Sequence, residues 1–326
     1  METDSAHTPE RGGHGEVGHV PVLLKEAIDF LAVKGGGTYL DATVGLGGHS
    51  YEIARRLGAP GHLIGFDKDP VALEIAAKKL AVRASSFAVR EGMSEPTTND
   101  EATNWPVVTL IHGSFAELAN SEQRTTYDGI LADLGVSSLQ LSDAARGFSF
   151  QAEGPLDMRM NPMSGETAEQ LVNHIDERKL ADVIYEFGEE RRSRRIARAI
   201  VRSRPIRTTT QLVEVVAVAA RSMKFKHERI HPATRTFQAL RIFVNHELDD
   251  LKALLEAAPR VLKPGGRLVV ISFHSLEDRI VKDAMREGAK QGWYRSLTKK
   301  PVTASEEEID SNPRSRSAKM RAAERL

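Results

Sequence analysis

Asp41-Ala-Thr-Val-Gly45-Leu-Gly47-Gly48-His49 is the stretch on which the fold turns. It follows apolar residues that read as a strand over Thr38–Val44 and precedes a helical pattern over His49–Leu57. Glycines between a strand and a helix let the backbone turn tightly and come close to a ligand. The helix behind them offers unpaired N–H groups. A dinucleotide fingerprint is Gly-x-Gly-x-x-Gly/Ala. Here Ser50 stands three residues after Gly47, and Gly48 follows Gly47 directly. This form is less suited to a pyrophosphate than to a nucleoside ligand without phosphates. The alternative is a tight βα loop with no ligand.

Working outward, a helix is expected over His19–Val33, a strand over His62–Phe66 ending at Asp67, and a helix over Pro70–Leu80 with proline at its start. Arg90–Pro106 is polar and reads as a surface loop. Strands follow at Val107–Ile111 and Tyr127–Ala132, the latter ending at Asp133. Strands alternating with helices, with apolar strand interiors, predict a parallel sheet covered on both faces. Asp41, Asp67 and Asp133 would then share the carboxyl edge, where open α/β sheets bind ligands. Asp67 lies 20 residues beyond Gly47, where a carboxylate can accept both hydroxyls of a ribose. Its alternative role is to cap the next helix.

The alternation stops at about Leu141. Helical patterns dominate to Leu248, clearest at Ala168–His174, Ala181–Phe187, Arg191–Val201, Thr210–Ala220 and Thr234–His246. A helix over Leu248–Ala257, the turn Lys263-Pro-Gly-Gly266 and the strand Arg267–Phe273 resume the rhythm. Trp293–Thr298 and Ala318–Arg325 read as closing strands. The expected organisation is a flexible tail at 1–18, an α/β domain of 19–140 and 248–326, and a helical domain of 141–247 inserted between them.

Length and composition agree with two globular units. The chain has 326 residues, 40% hydrophobic and 28% charged, with Lys+Arg and Asp+Glu both 45. There is no cysteine, which excludes disulfides, thiolate metal sites and cysteine nucleophiles and is compatible with the cytoplasm. No apolar run reaches the ~18–20 residues of a membrane span, and the first residues lack the apolar core of a signal peptide. Between Glu190 and Arg241 stand 14 Lys/Arg against 3 Asp/Glu. Such a block suits a polyanionic partner or a solvated helical surface.

Four stretches resemble the bacterial 16S ribosomal RNA (cytosine-N4) methyltransferase family (RsmH/MraW). They are His19-Val-Pro-Val-Leu-Leu-Lys-Glu-Ala27; the glycine turn through His49; Asp133-Leu-Gly-Val-Ser-Ser-Leu-Gln140 running on to Arg146-Gly-Phe-Ser-Phe150 and Gly154-Pro-Leu-Asp-Met-Arg-Met160; and His231-Pro-Ala-Thr-Arg-Thr-Phe-Gln238 with Ile271-Ser-Phe-His-Ser-Leu-Glu-Asp-Arg279. The resemblance implies a class I S-adenosylmethionine-dependent methyltransferase sheet (Rossmann-like) with an inserted all-helical domain. It implies methylation of the exocyclic N4 of a cytidine in the decoding region of small-subunit ribosomal RNA, with the small subunit as partner. By position, the cofactor contacts fall on Gly47, Gly48, His49, Asp67, Phe115, Asp133 and Gln140. Leu139 stands where proline is common in the family, and 83–105 looks longer than usual.

Methyl transfer needs no metal, so positioning and a shaped electrostatic site should carry the catalysis. The cytosine amine is a poor nucleophile, and an acceptor near its hydrogens would help. Asp133 is the candidate, with Ser137 beside it; a purely cofactor-binding Asp133 is the alternative. Phe148 and Phe150 are candidates to stack on an extruded base, or are ordinary core residues. His274 would orient the base or serve structurally. Arg191, Arg194, Arg198, Lys224, Lys226 and Arg235 would meet RNA phosphates, as would Arg241. The rivals are a nicotinamide oxidoreductase, a non-enzymatic ribosome assembly factor that keeps a cofactor pocket, and a methyltransferase acting on another base.

Overall fold

The computed structural model describes residues 20–80, 104–119, 125–220 and 231–326. The expected tail at 1–18 lies outside them, as does most of the expected loop at 90–106. Seven strands form one sheet: β1 (Thr38–Asp41), β2 (His62–Asp67), β3 (Val107–His112), β4 (Tyr127–Asp133), β5 (Leu262–Ser272), β6 (Tyr294–Ser296) and β7 (Lys319–Arg325). Their order is β3-β2-β1-β4-β5-β7-β6. β1 to β5 run parallel, and β7 pairs antiparallel with both β5 and β6. This is the class I methyltransferase sheet that the resemblance implied.

Alternate strand residues feed two cores. Tyr39, Leu63 and Val269 point to one face, where they meet α1 (Leu24–Leu31), α2 (Gly48–Leu57) and α3 (Pro70–Lys79). Leu40, Ile64 and Val270 point to the other, against α10 (Glu247–Val261) and α11 (Ser275–Lys290). Burial on both faces is why these strands read as continuous apolar runs. Among the described residues between β4 and α10, the short α4 (Ser138–Ser142) precedes α5 (Ala168–His174), α6 (Glu177–Gly188), α7 (Ser193–Arg202), α8 (Thr209–Ala220) and α9 (Ala233–Asn245). The last five enclose a separate core that includes Phe148, Leu171, Ile184, Ile196, Leu212 and Phe237.

Several expected boundaries move, each for a local reason. β1 stops at Asp41, not Val44, because the Asp41 carboxylate bends the chain by accepting from the Thr43 N–H at 3.1 Å. α1 starts at Leu24, not His19. Leu23 is left-handed (φ 51°) and its N–H goes to Glu308 Oε1 at 2.7 Å. Lys263–Gly266 is a bulge within β5, not a turn before it, since pairing with β4 shifts between Tyr127/Leu262 and Gly129/Arg267. The helix α11 and the short α12 (Glu306–Ser311) were not expected at all.

Candidate active site

The chain steps from β1 outward to β2 and β3, then returns to β4 on the other side of β1. A crevice opens at the carboxyl ends where the direction reverses. It is a cleft of about 360 Å³ whose lining includes Gly45, Gly48, Asp67, Phe115, Asp133 and Gln140. Residues that follow β1, β2, β3 and β4 therefore meet in one place.

The glycine turn is shaped by three different demands. Gly45 is left-handed (φ 51°) with open space where a side chain would stand, so its backbone faces the cleft bare. Gly47, also left-handed (φ 75°), has no room because Ala76 of α3 lies 3.2 Å from any Cβ there. Its lack of a side chain lets α3 pack against the turn, between Leu46 and Gly48, which line the cleft. Gly48 lines the cleft and lies against Pro21, so a side chain there would collide with that ring.

Asp67 sits at the end of β2. Its Oδ2 accepts from the Gly45 N–H at 2.7 Å and its Oδ1 from the Asp69 N–H at 2.8 Å. A carboxylate has about four acceptor positions, so two remain for ligand hydroxyls. Burial pushes its carboxyl up to about 6, against those two N–H groups. The helix-capping alternative belongs to Asp69, which accepts from the Val71 N–H at the start of α3. Asp69 is fully buried and also receives Gln140 Nε2 at 2.9 Å and Arg146 Nη1 at 2.7 Å. Gln140 thus lines the cleft with its amide already committed: its Oε1 accepts from the Ser137 N–H in the capping box of α4. Ser137 lines the cleft too, and its Oγ accepts from the Gln140 N–H.

Asp133 ends β4. Its backbone N–H is held by Thr43 Oγ1 at 2.6 Å. Its Oδ1 is buried without a hydrogen-bond partner, and its Oδ2 lies 3.6 Å from His49 Nδ1. Burial foremost, then the charges of Asp41 and Glu277, push its carboxyl up to about 8, with Arg314 pulling the other way. Water reaching the 22% of its side chain that is exposed softens that push. His49 is buried, and its Nε2 donates to the Val22 carbonyl at 3.1 Å, tying the first described segment to the cleft wall. Asp41 ends β1 at the same edge, as expected, but is fully buried beneath the cleft, where Ser50 Oγ donates to it at 2.5 Å.

These groups fit S-adenosylmethionine. A carboxylate with spare acceptor positions at the end of β2 suits a ribose. A bare glycine turn suits close approach, and a buried carboxyl oxygen without a partner suits a ligand bringing donors or positive charge. Among the described residues, Glu247, His274 and Glu277 hold one potential metal-ligating atom each within 4.8 Å of one another. The two carboxylates are committed to other partners, while the His274 Nε2 is buried without a hydrogen-bond partner, 3.2 Å from Glu277 Oε1. Glu247 takes two hydrogen bonds from Arg241 at 2.8 and 2.9 Å. Glu277 Oε2 accepts from the Phe273 N–H at 2.8 Å, and His274 caps α11.

The expected substrate contacts divide. His274 is that cap and does not line the cleft. Phe148 is buried in the helical core, with the Arg146 guanidinium 5.8 Å from its ring centre, and is not available to a base. Phe150 is half-buried against Phe237 and His231. Arg191, Arg194 and Arg198 are exposed on or beside α7, and Arg198 lies 3.5 Å from Glu177. Arg235 is exposed, 3.8 Å from Glu190. Lys224 and Lys226 lie outside the described residues. Arg241 is no surface cation: it lines the cleft, paired with Glu247.

Sequence reasoning missed Lys68, Phe273 and Arg314, all on the cleft wall. Arg314 donates to the Val136 carbonyl at 3.0 Å. One signal was available: a strand antiparallel to its neighbours begins where they end, so residues just before β7 must start at the carboxyl edge.

Residues 16–326 match the profile of the MraW methylase family. A protein of Koribacter versatilis (strain Ellin345) named Ribosomal RNA small subunit methyltransferase H is 65% identical over 324 residues, 99% of this chain and 99% of its own length. Another of that name from Acidobacterium capsulatum is 60% identical over 308 residues, 94% of this chain and 98% of its own. A solved rRNA methylase structure from Streptococcus thermophilus aligns over 94% of this chain and 99% of its own at 12% identity, with a TM-score of 0.40. That likeness is too distant to add to the comparison.

Proposed function

The chain belongs to the MraW methylase family, and on that premise we propose that it transfers a methyl group from S-adenosylmethionine to the exocyclic N4 of a cytidine in the decoding region of 16S ribosomal RNA. The observation that carries the reading is the meeting, in one cleft, of the bare glycine turn, Asp67 and the partnerless oxygen of Asp133. The full-length relatives whose names specify small-subunit ribosomal RNA support the substrate. The small subunit is then the partner, and the cytoplasm, where it is assembled, the location.

Bound S-adenosylmethionine supplies an electrophilic methyl carbon. The chain's own residues do the rest. Gly45, Gly48, Phe115 and Gln140 bound the adenosyl end, and Asp67 takes the ribose hydroxyls. Asp133 accepts a hydrogen of the cytosine amine, which frees the nitrogen lone pair from the ring, and Ser137 has a hydroxyl hydrogen to offer beside it. As the N–C bond forms and the S–C bond breaks, the amine becomes acidic and loses a proton. No strong base is required. Residues 141–247 form the substrate-recognising domain. There Arg191, Arg194, Arg198 and Arg235, with Lys224 and Lys226, hold RNA phosphates that position the strand without reading its sequence.

The test is transfer of labelled methyl from S-adenosylmethionine to small subunits of a strain lacking its own enzyme, followed by nucleoside mass spectrometry. N4-methylcytidine is expected. Tight S-adenosylhomocysteine binding with no transfer would leave an assembly factor instead.

A further inference from the structure

Enzymes that modify a base take it out of its stack and hold it against an aromatic or apolar surface. The aromatic side chains nominated from sequence do not supply that surface. Phe148 is buried in the helical core, and the ring of Phe150 is engaged by Phe237 and His231. The loop after β4, Leu134-Gly135-Val136, has no aromatic residue. Phe115 lines the cleft from behind β3, at the adenosyl end.

Among the described residues that line the cleft, one aromatic remains at the reacting end. β5 lies beside β4 with Ile271 opposite Asp133. Phe273, two residues on, leaves the sheet on the same face as Ile271. It is half-buried and lines the cleft. Its ring lies along the loop that follows Asp133: a side chain at Gly135 would meet Phe273 Cδ2 at 3.6 Å. Gly135 has φ 92°, a conformation that resists substitution, so this approach stays open. The backbone of Phe273 is fixed from below. Its N–H donates to Glu277 Oε2 at 2.8 Å, and Glu277 is 2% exposed. Pinning of this kind sets a ring in place before a ligand arrives.

We propose that Phe273 is the surface on which the target base stacks beside Asp133, doing from the end of β5 what no residue of the β4 loop can do. The inference rests on the proposed methylation of a base. It assigns to Phe273 a direct contact with the substrate, and to Glu277 the role of positioning it.

The experiment compares the full-length protein with Phe273→Leu, Phe273→Ala and Phe273→Tyr. Methyl transfer to unmethylated small subunits and S-adenosylhomocysteine affinity are both measured. Leucine keeps most of the apolar volume that packs on the neighbouring core but has no π-face, so it separates stacking from packing. The expected result is a fall in kcat/KM for the subunit of about 10- to 100-fold for leucine and alanine, the range one lost base stack corresponds to. Tyrosine should stay near wild type, and cofactor affinity and melting temperature of the leucine variant should be unchanged. Wild-type turnover by Phe273→Leu overturns the stacking role and leaves the methylation reading intact. A parallel loss of cofactor binding also overturns it, because the ring would then be a packing element. A wild-type protein that methylates nothing refutes the activity and the stacking surface together.

Discussion

Asp133→Asn removes a charge that burial in the cleft wall resists forming, and its effect on ligand choice can be calculated. A carboxyl pushed up to about 8 is roughly 1% ionised at pH 6 and about 90% ionised at pH 9. S-adenosylmethionine carries a methyl group and a positive charge on its sulfur that S-adenosylhomocysteine lacks; the remainder of the two molecules is shared. The groups facing Asp133 are His49 from α2, Asp41 from β1, Glu277 from α11 and Arg314 from the turn before β7. Neither Asp41 nor Glu277 can replace Asp133 as the cation's partner, since both are buried and already hydrogen-bonded. If the ionised form of Asp133 is what favours the cation, the ratio of the two affinities should climb with pH. The rise is about ninetyfold between pH 6 and 9: about ninefold from 6 to 7, about fivefold from 7 to 8 and about twofold from 8 to 9. Isothermal titration of both ligands across that range measures the ratio, after correction for each ligand's own amino-group titration, which the sulfonium charge lowers in S-adenosylmethionine. The asparagine variant should show a flat ratio, near the wild-type value at pH 6. A flat wild-type ratio, or a slope that survives in the variant, would falsify the electrostatic role given to Asp133.

Four further outcomes are expected. Asp41 and Asp67, each at about 6, and Asp133 at about 8 keep protons in the folded state that an unfolded chain gives up above about 4. The ligand-free protein should therefore lose stability steadily as pH rises from 5 to 8; urea midpoints that rise over that interval contradict it. Asp67→Ala should weaken S-adenosylhomocysteine binding by on the order of 10- to 100-fold, the loss of charge-assisted hydrogen bonds, and unchanged affinity by calorimetry would end its assignment to the ribose. Arg146→Ala strands the fully buried Asp69 carboxylate, so chemical denaturation should show a cost of about 3 kcal/mol; a cost under 1 kcal/mol would mean Gln140 and water suffice. Replacing Arg191, Arg194 and Arg198 together with glutamine should lower the salt dependence of RNA binding by about two to three counterions while leaving the melting temperature in place. A melting shift with no change in binding would make that surface structural.

The sheet was legible because its signals are local and repeated. Short apolar strands, three of them closed by Gly45, Asp67 and Asp133, fix both period and polarity, and the acids at the ends of β2 and β4 mark the cleft. Three kinds of information were not local. Which glycine faces a ligand depends on what stands behind it: Gly47 meets Ala76 and Gly48 meets Pro21, contacts across α3 and the first segment. Whether a charge is surface or buried depends on partners far along the chain. Arg241 looked like one more cation of a basic block until the helix start at Glu247 closed on it. His274 was singled out because its neighbours are site residues, and the role of its ring nitrogens could not be read locally: Nδ1 caps α11 and Nε2 is buried beside Glu277. The boundary at Leu23 could not be read from periodicity, since its left-handed turn is fixed by Glu308, 285 positions away.

That last contact has a bearing on synthesis. One wall of the cleft is stitched from the two extremes of the chain: Leu23 to Glu308, Asn312 to the Val20 carbonyl, and Arg314 reaching across to Val136. A nascent polypeptide that has released the glycine turn, Asp67 and Asp133 from the ribosome still has a groove with one side missing. The groove for the methyl donor is walled on that side only after residue 314 has emerged, whereas the helical domain of 141–247 is released well before it.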